Sequence, residues 1–175
     1  MSKLNVSRDL VHWALRSGFD HRTEFGSEPT VFFNAGGEER YYLRSSSDES
    51  GWVTVTHASR SGDEQYVFEA RDLQITERYF WGFFGVGIRS RERLPRLSLP
   101  LRLDQVAAGF RIDCTAADET VLLNAAEERI MIGLKDVYDI TRLVRTSHWL
   151  SITIQELTDS FLDADGRPAF PIQEP

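Results

Sequence analysis

ARDLQITERYFWGFFGVGIRSRER, residues 70–93, is the segment from which the fold of this chain is read. With Asp72 as an N-cap, Leu73, Thr76, Phe80, Phe84 and Ile88 fall near one stripe of a helix, with Trp81 beside it and Glu77 and Arg78 pointing elsewhere. That pattern predicts a core-forming helix. Gly82, Gly85 and Gly87 lower helix propensity and let a neighbouring backbone approach closely, so the helix is expected to stop near Phe84 and the remainder to be a turn or short strand. Arg89, Arg91, Arg93 and Arg96 follow, opposed only by Glu92.

Upstream, Ser7 can cap a helix carrying Leu10, Val11, Ala14 and Leu15 on a narrow apolar face, with Gly18 as its stop. Trp13 flanks that face as a packing residue, and His12 is expected at the surface. His21–Pro29 is charged and reads as a loop. Thr30–Asn34 and Arg40–Arg44 read as strands joined through Ala35-Gly36-Gly37, where glycine permits positive φ. Ser45–Gly51 is a polar connection, and Trp52–Thr56 and Tyr66–Phe68 complete an antiparallel meander.

Downstream, Leu94-Pro95 and Leu99-Pro100 interrupt regular structure. Phe110–Ile112, Val121–Asn124 and Arg129–Ile132 suggest three strands, with Met131 filling core space. Residues 137–150 stay ambiguous: Val137, Ile140, Leu143 and Val144 make a helical stripe, yet Leu143–Ser147 has competing strand propensity. Thr153 and Glu156 have capping-box spacing for a last helix carrying Ile154, Leu157 and Phe161, which Asp163-Ala164-Asp165-Gly166 ends. Phe170 and Ile172 can pack the proline-containing tail back onto the body. The fold class expected is α+β, a curved antiparallel sheet packed against several helices, in one domain spanning residues 1–175.

The 175 residues can bury a substantial core, and no apolar run is long enough to cross a bilayer. A start without a secretory-type apolar segment and a single Cys114 point to the cytosol. Residues 1–102 balance 14 basic against 14 acidic residues, whereas 103–175 hold 6 basic and 13 acidic and carry the whole net charge of −7. That acidity opposes sequence-independent attraction to nucleic acid or anionic lipid and suits a basic or mixed-charge protein partner.

Catalytic chemistry finds little support. His12, His21, His57 and His148 are widely separated and begin no compact metal signature. Cys114 lacks an identifiable activating partner and reads as an inert, semi-buried thiol. Asp163-x-Asp165-Gly166 is only a fragment of a calcium loop, and the glycines of residues 82–87 lack the order of a dinucleotide fingerprint. The acidic pairs Glu38-Glu39, Asp48-Glu49, Asp118-Glu119 and Glu127-Glu128 read as solvated, because adjacency does not supply the convergent geometry of acid–base catalysis. No cofactor is implied.

From LVHWALRSGF near the start, through the meander and aromatic centre, to TIQELTDSFL near the end, the chain resembles the immunity factors for tuberculosis necrotizing toxin and related bacterial immunity proteins. The resemblance implies a cytosolic, non-enzymatic antitoxin that binds a cognate secreted NAD-degrading toxin one-to-one and obstructs its NAD site. It carries no residue-by-residue assignment. From the strand reading, Ala35–Glu39 (with Gly36, Gly37, Glu38 and Glu39) and Ser45–Gly51 (with Asp48 and Glu49) are the exposed loops expected to meet a partner. Arg89, Arg91 and Trp149 are candidate anchors, whereas Trp52 and Trp81 are expected in the core. Two other classes stay open: a protein-binding adaptor or secretion chaperone using the same surfaces, and a small enzyme whose site assembles from distant residues.

Overall fold

The computed structural model describes residues 4–23, 29–47, 51–114 and 118–173. In chain order the elements are α1 (Arg8–Ser17), β1 (Phe19–Thr23), β2 (Thr30–Asn34), β3 (Glu39–Ser45), β4 (Val53–Ser59), β5 (Gln65–Ala70), α2 (Leu73–Arg91), β6 (Arg111–Cys114), β7 (Glu119–Leu123), β8 (Arg129–Leu134), α3 (Val137–Ser151) and α4 (Ile154–Leu162). The strands form one open antiparallel sheet in the order β1-β2-β3-β4-β5-β8-β7-β6. Two meanders meet where β5 and β8 pair through Glu69↔Ile132 and Ala70↔Met131. Helix α2 connects them. The α+β class read from the sequence is the architecture observed.

Asp72 caps α2 by accepting from the Ile75 amide at 2.8 Å, and Phe80, Phe84 and Ile88 are fully buried. Each such burial contributes about 1.5–3 kcal/mol. They meet Phe32, Leu43, Val55, Phe68 and Met131 from the sheet in one core. The register between β4 and β5 slips after Val55, leaving Val67 as an extra residue, so Val67 and Phe68 both enter that core. Val121 and Leu123 alternate with Leu122 and pack with Trp52 and Ile132 in a second, smaller cluster across the sheet.

Contrary to the expectation that α2 ends near Phe84, it continues to Arg91. The glycines serve close approach rather than a break: a Cβ on Gly82 would lie 2.2 Å from the Trp149 ring, and one on Gly85 2.3 Å from the Phe161 ring. Helices α3 and α4 therefore seat aromatic rings directly on the α2 backbone. Helix α1 is attached differently. Trp13 stacks on Trp81 with ring centroids 5.6 Å apart and donates its indole N–H to the Trp81 carbonyl at 2.8 Å. Trp81 in turn donates to Thr158 of α4 at 2.9 Å.

Three other readings change. Residues 19–23 form edge strand β1, where 21–29 read as loop; residues 24–28 lie outside the described part. Residues 137–151 are helical, with Asp136 accepting from the Asp139 amide at 2.7 Å. Cys114 is exposed on edge strand β6, not semi-buried. The cap at Ser7, the stop at Gly18, the capping box of Thr153 and Glu156, and the buried Met131 match the sequence reading.

Candidate functional site

The β2–β3 turn forms because Asn34 closes it: its carbonyl accepts from the Gly37 amide at 2.8 Å and its side chain from the Glu39 amide at 2.9 Å. Gly36 and Gly37 take φ of 87° and 68°, and a side chain at either would meet open space. The turn is stitched to its neighbour, the β4–β5 turn. The Arg60 amide donates to the Glu38 carbonyl at 2.5 Å, and the Arg40 guanidinium donates to the carbonyls of Gly37 and Arg60.

The Glu39 carboxylate lies 2.5 Å from His57 Nε2 and accepts from the Ser59 hydroxyl at 2.9 Å. The hydrogen bond from His57, and then that from Ser59, hold its carboxyl below the usual range. On the opposite face of the sheet, Arg44, further along β3, holds Glu64 bidentately at 2.6 and 2.9 Å and lowers its pKa by that hydrogen bond. Both carboxylates are thus fixed in charge and position, and this end of the sheet is a preorganised, charged rim. Of the second predicted loop, Ser46 is tied to Trp52 by a 2.8 Å backbone bond, while Asp48 and Glu49 lie outside the described residues.

The predicted anchors separate. Arg91 is exposed, with its guanidinium packed over Gly18 at the end of α1. Arg89 is only 4% exposed, and its guanidinium donates to the carbonyls of Pro95, Ser160, Phe161, Asp163 and Ala164. It binds the end of α4 to the chain leaving α2, so it is a structural residue and not a surface anchor. Trp149 is 3% exposed with its ring against Gly82, and it too is interior. Neither projects from the surface as an anchor: Arg89 is spent on backbone carbonyls, and the Trp149 ring fills the space over Gly82.

A feature missed in the sequence lies between α2, α3 and the sheet. A cavity of about 550 Å³ is floored by Phe19, Tyr79, Phe83, Phe84 and Trp149, with Val86, Val137, Tyr138, Arg142 and Arg145 around it. A second of about 330 Å³, lined by Tyr41, His57, Tyr66, Leu134 and Asp139, shares Tyr79, Tyr138 and Arg142 with the first. The two make one cleft. Arg142 is committed to Asp139 and to the Val67 carbonyl at 2.8 Å, whereas among the described residues Arg145 reaches the Pro100 carbonyl alone, at 3.4 Å. Burial pushes the Tyr41, Tyr66 and Tyr79 hydroxyls up, keeping them protonated.

The cleft therefore combines neutral phenols, apolar rings and cations, a set suited to recognition. The signal was faint: Val137 reads as part of the α3 core stripe, yet it is 68% exposed and Tyr138 78%. Among the described residues no group of three or more His, Cys, Asp or Glu side chains is placed to hold a metal ion.

Residues 13–169 match the family Immunity protein 61. Two curated relatives, the immunity factor for TNT of Mycobacterium tuberculosis and its homolog in Mycobacterium bovis, are each 29% identical over 169 residues, covering 95% of this chain and 93% of theirs. The solved structure of Rv3902c from M. tuberculosis superposes with a TM-score of 0.84 at 28% identity, over 96% of this chain and 95% of that one.

Proposed function

This chain belongs to the Immunity protein 61 family, and we propose that it neutralises a cognate NAD-degrading protein toxin by binding across the toxin's NAD entrance. The observation that carries the reading is near full-length likeness, in sequence and fold, to a protein named as the immunity factor for TNT. The rim formed by the β2–β3 and β4–β5 turns supports it, because side chains and turns already held in place lose little further freedom on binding. Gly36 and Gly37, with no side chains, let that edge approach a partner's backbone closely. The complex is one-to-one and forms in the cytoplasm of the producing cell, and the protein acts by occupying the toxin, with no turnover of its own.

The test is a titration of a candidate cognate NAD-degrading toxin domain, following NAD loss. Inhibition should rise linearly with added protein and saturate at equimolar ratio. An enzyme acting on the toxin would instead inactivate it at substoichiometric amounts. Unchanged hydrolysis, with no complex at about micromolar concentration, overturns the reading. Replacing Ala35 and Glu38 together by arginine should weaken inhibition while leaving the melting transition in place, since both side chains are exposed at the turn and neither backbone takes a positive φ.

A further inference from the structure

Ten large apolar side chains are exposed among the described residues, and five of them, Tyr66, Val86, Leu134, Val137 and Tyr138, line the single cleft between α2, α3 and the sheet. Scattered exposed apolar residues are ordinary, whereas their convergence on one concavity marks a recognition surface. Position sharpens this. Val137 and Tyr138 open α3, before its buried Leu143 and Val144, and line the same cavity as Phe83.

The charge around the cleft sets what it accepts. Arg145 is half-buried and has no carboxylate partner among the described residues. It lines both the cavity of about 550 Å³ and an adjoining one of about 570 Å³ walled by Arg93 and Arg96. Those two arginines also lack an ion pair among the described residues, although the chain as a whole carries −7. A half-buried guanidinium facing a concavity is stabilised by an incoming carboxylate more than a fully solvated one would be, because less water screens the pair.

We propose that this cleft docks a segment of the toxin that carries a large apolar side chain beside a carboxylate, the apolar group entering between α2 and α3 and the carboxylate meeting Arg145. The inference rests on the immunity reading and adds a second contact region to the charged rim. The two regions are continuous through His57, which touches Glu39 on the rim and lines the smaller cavity of the cleft. A toxin lying over both would bury an area in the range of stable complexes, about 1,200–2,000 Å².

The experiment measures affinity for the same candidate toxin domain by calorimetry, with wild type, Tyr138→Ala, Arg145→Gln and the control Ile154→Ala. Ile154 is also an exposed apolar residue but stands on α4 and lines neither cavity. Tyr138→Ala and Arg145→Gln should each weaken binding about tenfold or more, the control should not, and the arginine effect should shrink in about 0.5 M salt as the ion pair is screened. Tyr138 is exposed enough for its removal to spare the fold, so the result stands even where Arg145→Gln melts early. Wild-type affinity in both cleft variants, with binding lost in the rim variants, overturns the cleft while leaving the immunity reading intact. A dimer of the chain alone that Tyr138→Ala dissociates would make a second copy the occupant and overturn it too. A wild-type protein that does not bind the toxin refutes the immunity reading, and this inference falls with it.

Discussion

Gly82 and Gly85 occupy helical positions where alanine has the higher intrinsic propensity, by about 1 kcal/mol. The rings of Trp149 and Phe161 sit where a methyl would go, 2.2 and 2.3 Å from the position a Cβ would take, and both rings are buried. Overpacking of that kind costs about 1–3 kcal/mol, so the steric term exceeds the propensity gain. Gly82→Ala and Gly85→Ala should each lower stability in denaturant melts; a stabilised variant would mean the helices can shift apart freely. Arg89 and Arg91, adjacent in the sequence pattern, should behave oppositely. Arg89→Met leaves carbonyls at the end of α4 without their donor and should cost at least about 2 kcal/mol. Arg91→Ala should stay within about 0.5 kcal/mol.

At the scale of elements, the β2–β3 and β4–β5 hairpins are joined by carboxylates with depressed pKa values. Glu39 is held low chiefly by the hydrogen bond from His57, and Glu64 chiefly by that from Arg44. A carboxyl whose folded pKa is depressed lends stability that is fully present above its unfolded pKa and lost as pH falls through the folded value. With the unfolded glutamate near pH 4.3, the contribution is therefore present at about pH 6 and is lost once the pH lies below the folded value. Glu39→Gln should melt earlier than wild type at the higher pH and together with it at the lower. The gap will be small because both partners are partly exposed. A gap that instead widens in acid would show that Glu39 is destabilised by its surroundings.

At the scale of the molecule, the C-terminal segment closes the helical layer. Phe170 is 5% exposed against Phe161, Leu97 bridges to Ile172, and Asp163 and Ala164 supply carbonyls to Arg89. Truncation after Leu162 removes all of these at once. Losing a buried phenylalanine alone costs about 3–5 kcal/mol, which for a chain of this size corresponds to a melting temperature lower by roughly 6–20 °C. An unchanged melt would show that the tail merely rests on the surface. The same closure leaves the hairpin ends and the α2–α3 cleft, the two proposed contact regions, away from the C-terminal segment.

What the sequence by itself determined is the class of each strongly patterned element. Asp72 before an apolar stripe, Thr153 before Glu156, and the β-branched and aromatic runs around Gly36-Gly37 each encode their structure locally, through caps and turns that need no distant partner. The charged strand β1 and the ambiguous α3 escaped that reading, because pairing with Thr30–Asn34 and packing against the sheet decide them. The tertiary structure alone separated Arg89 from Arg91 and moved Trp149 inside. A guanidinium or indole is equally at home on a surface or against buried carbonyls and rings, and only the approach of α3 and α4 to α2 chooses between them. The cleft was invisible for a related reason: its residues come from β1, α2, α3 and the sheet, and their concavity exists only once those elements are packed.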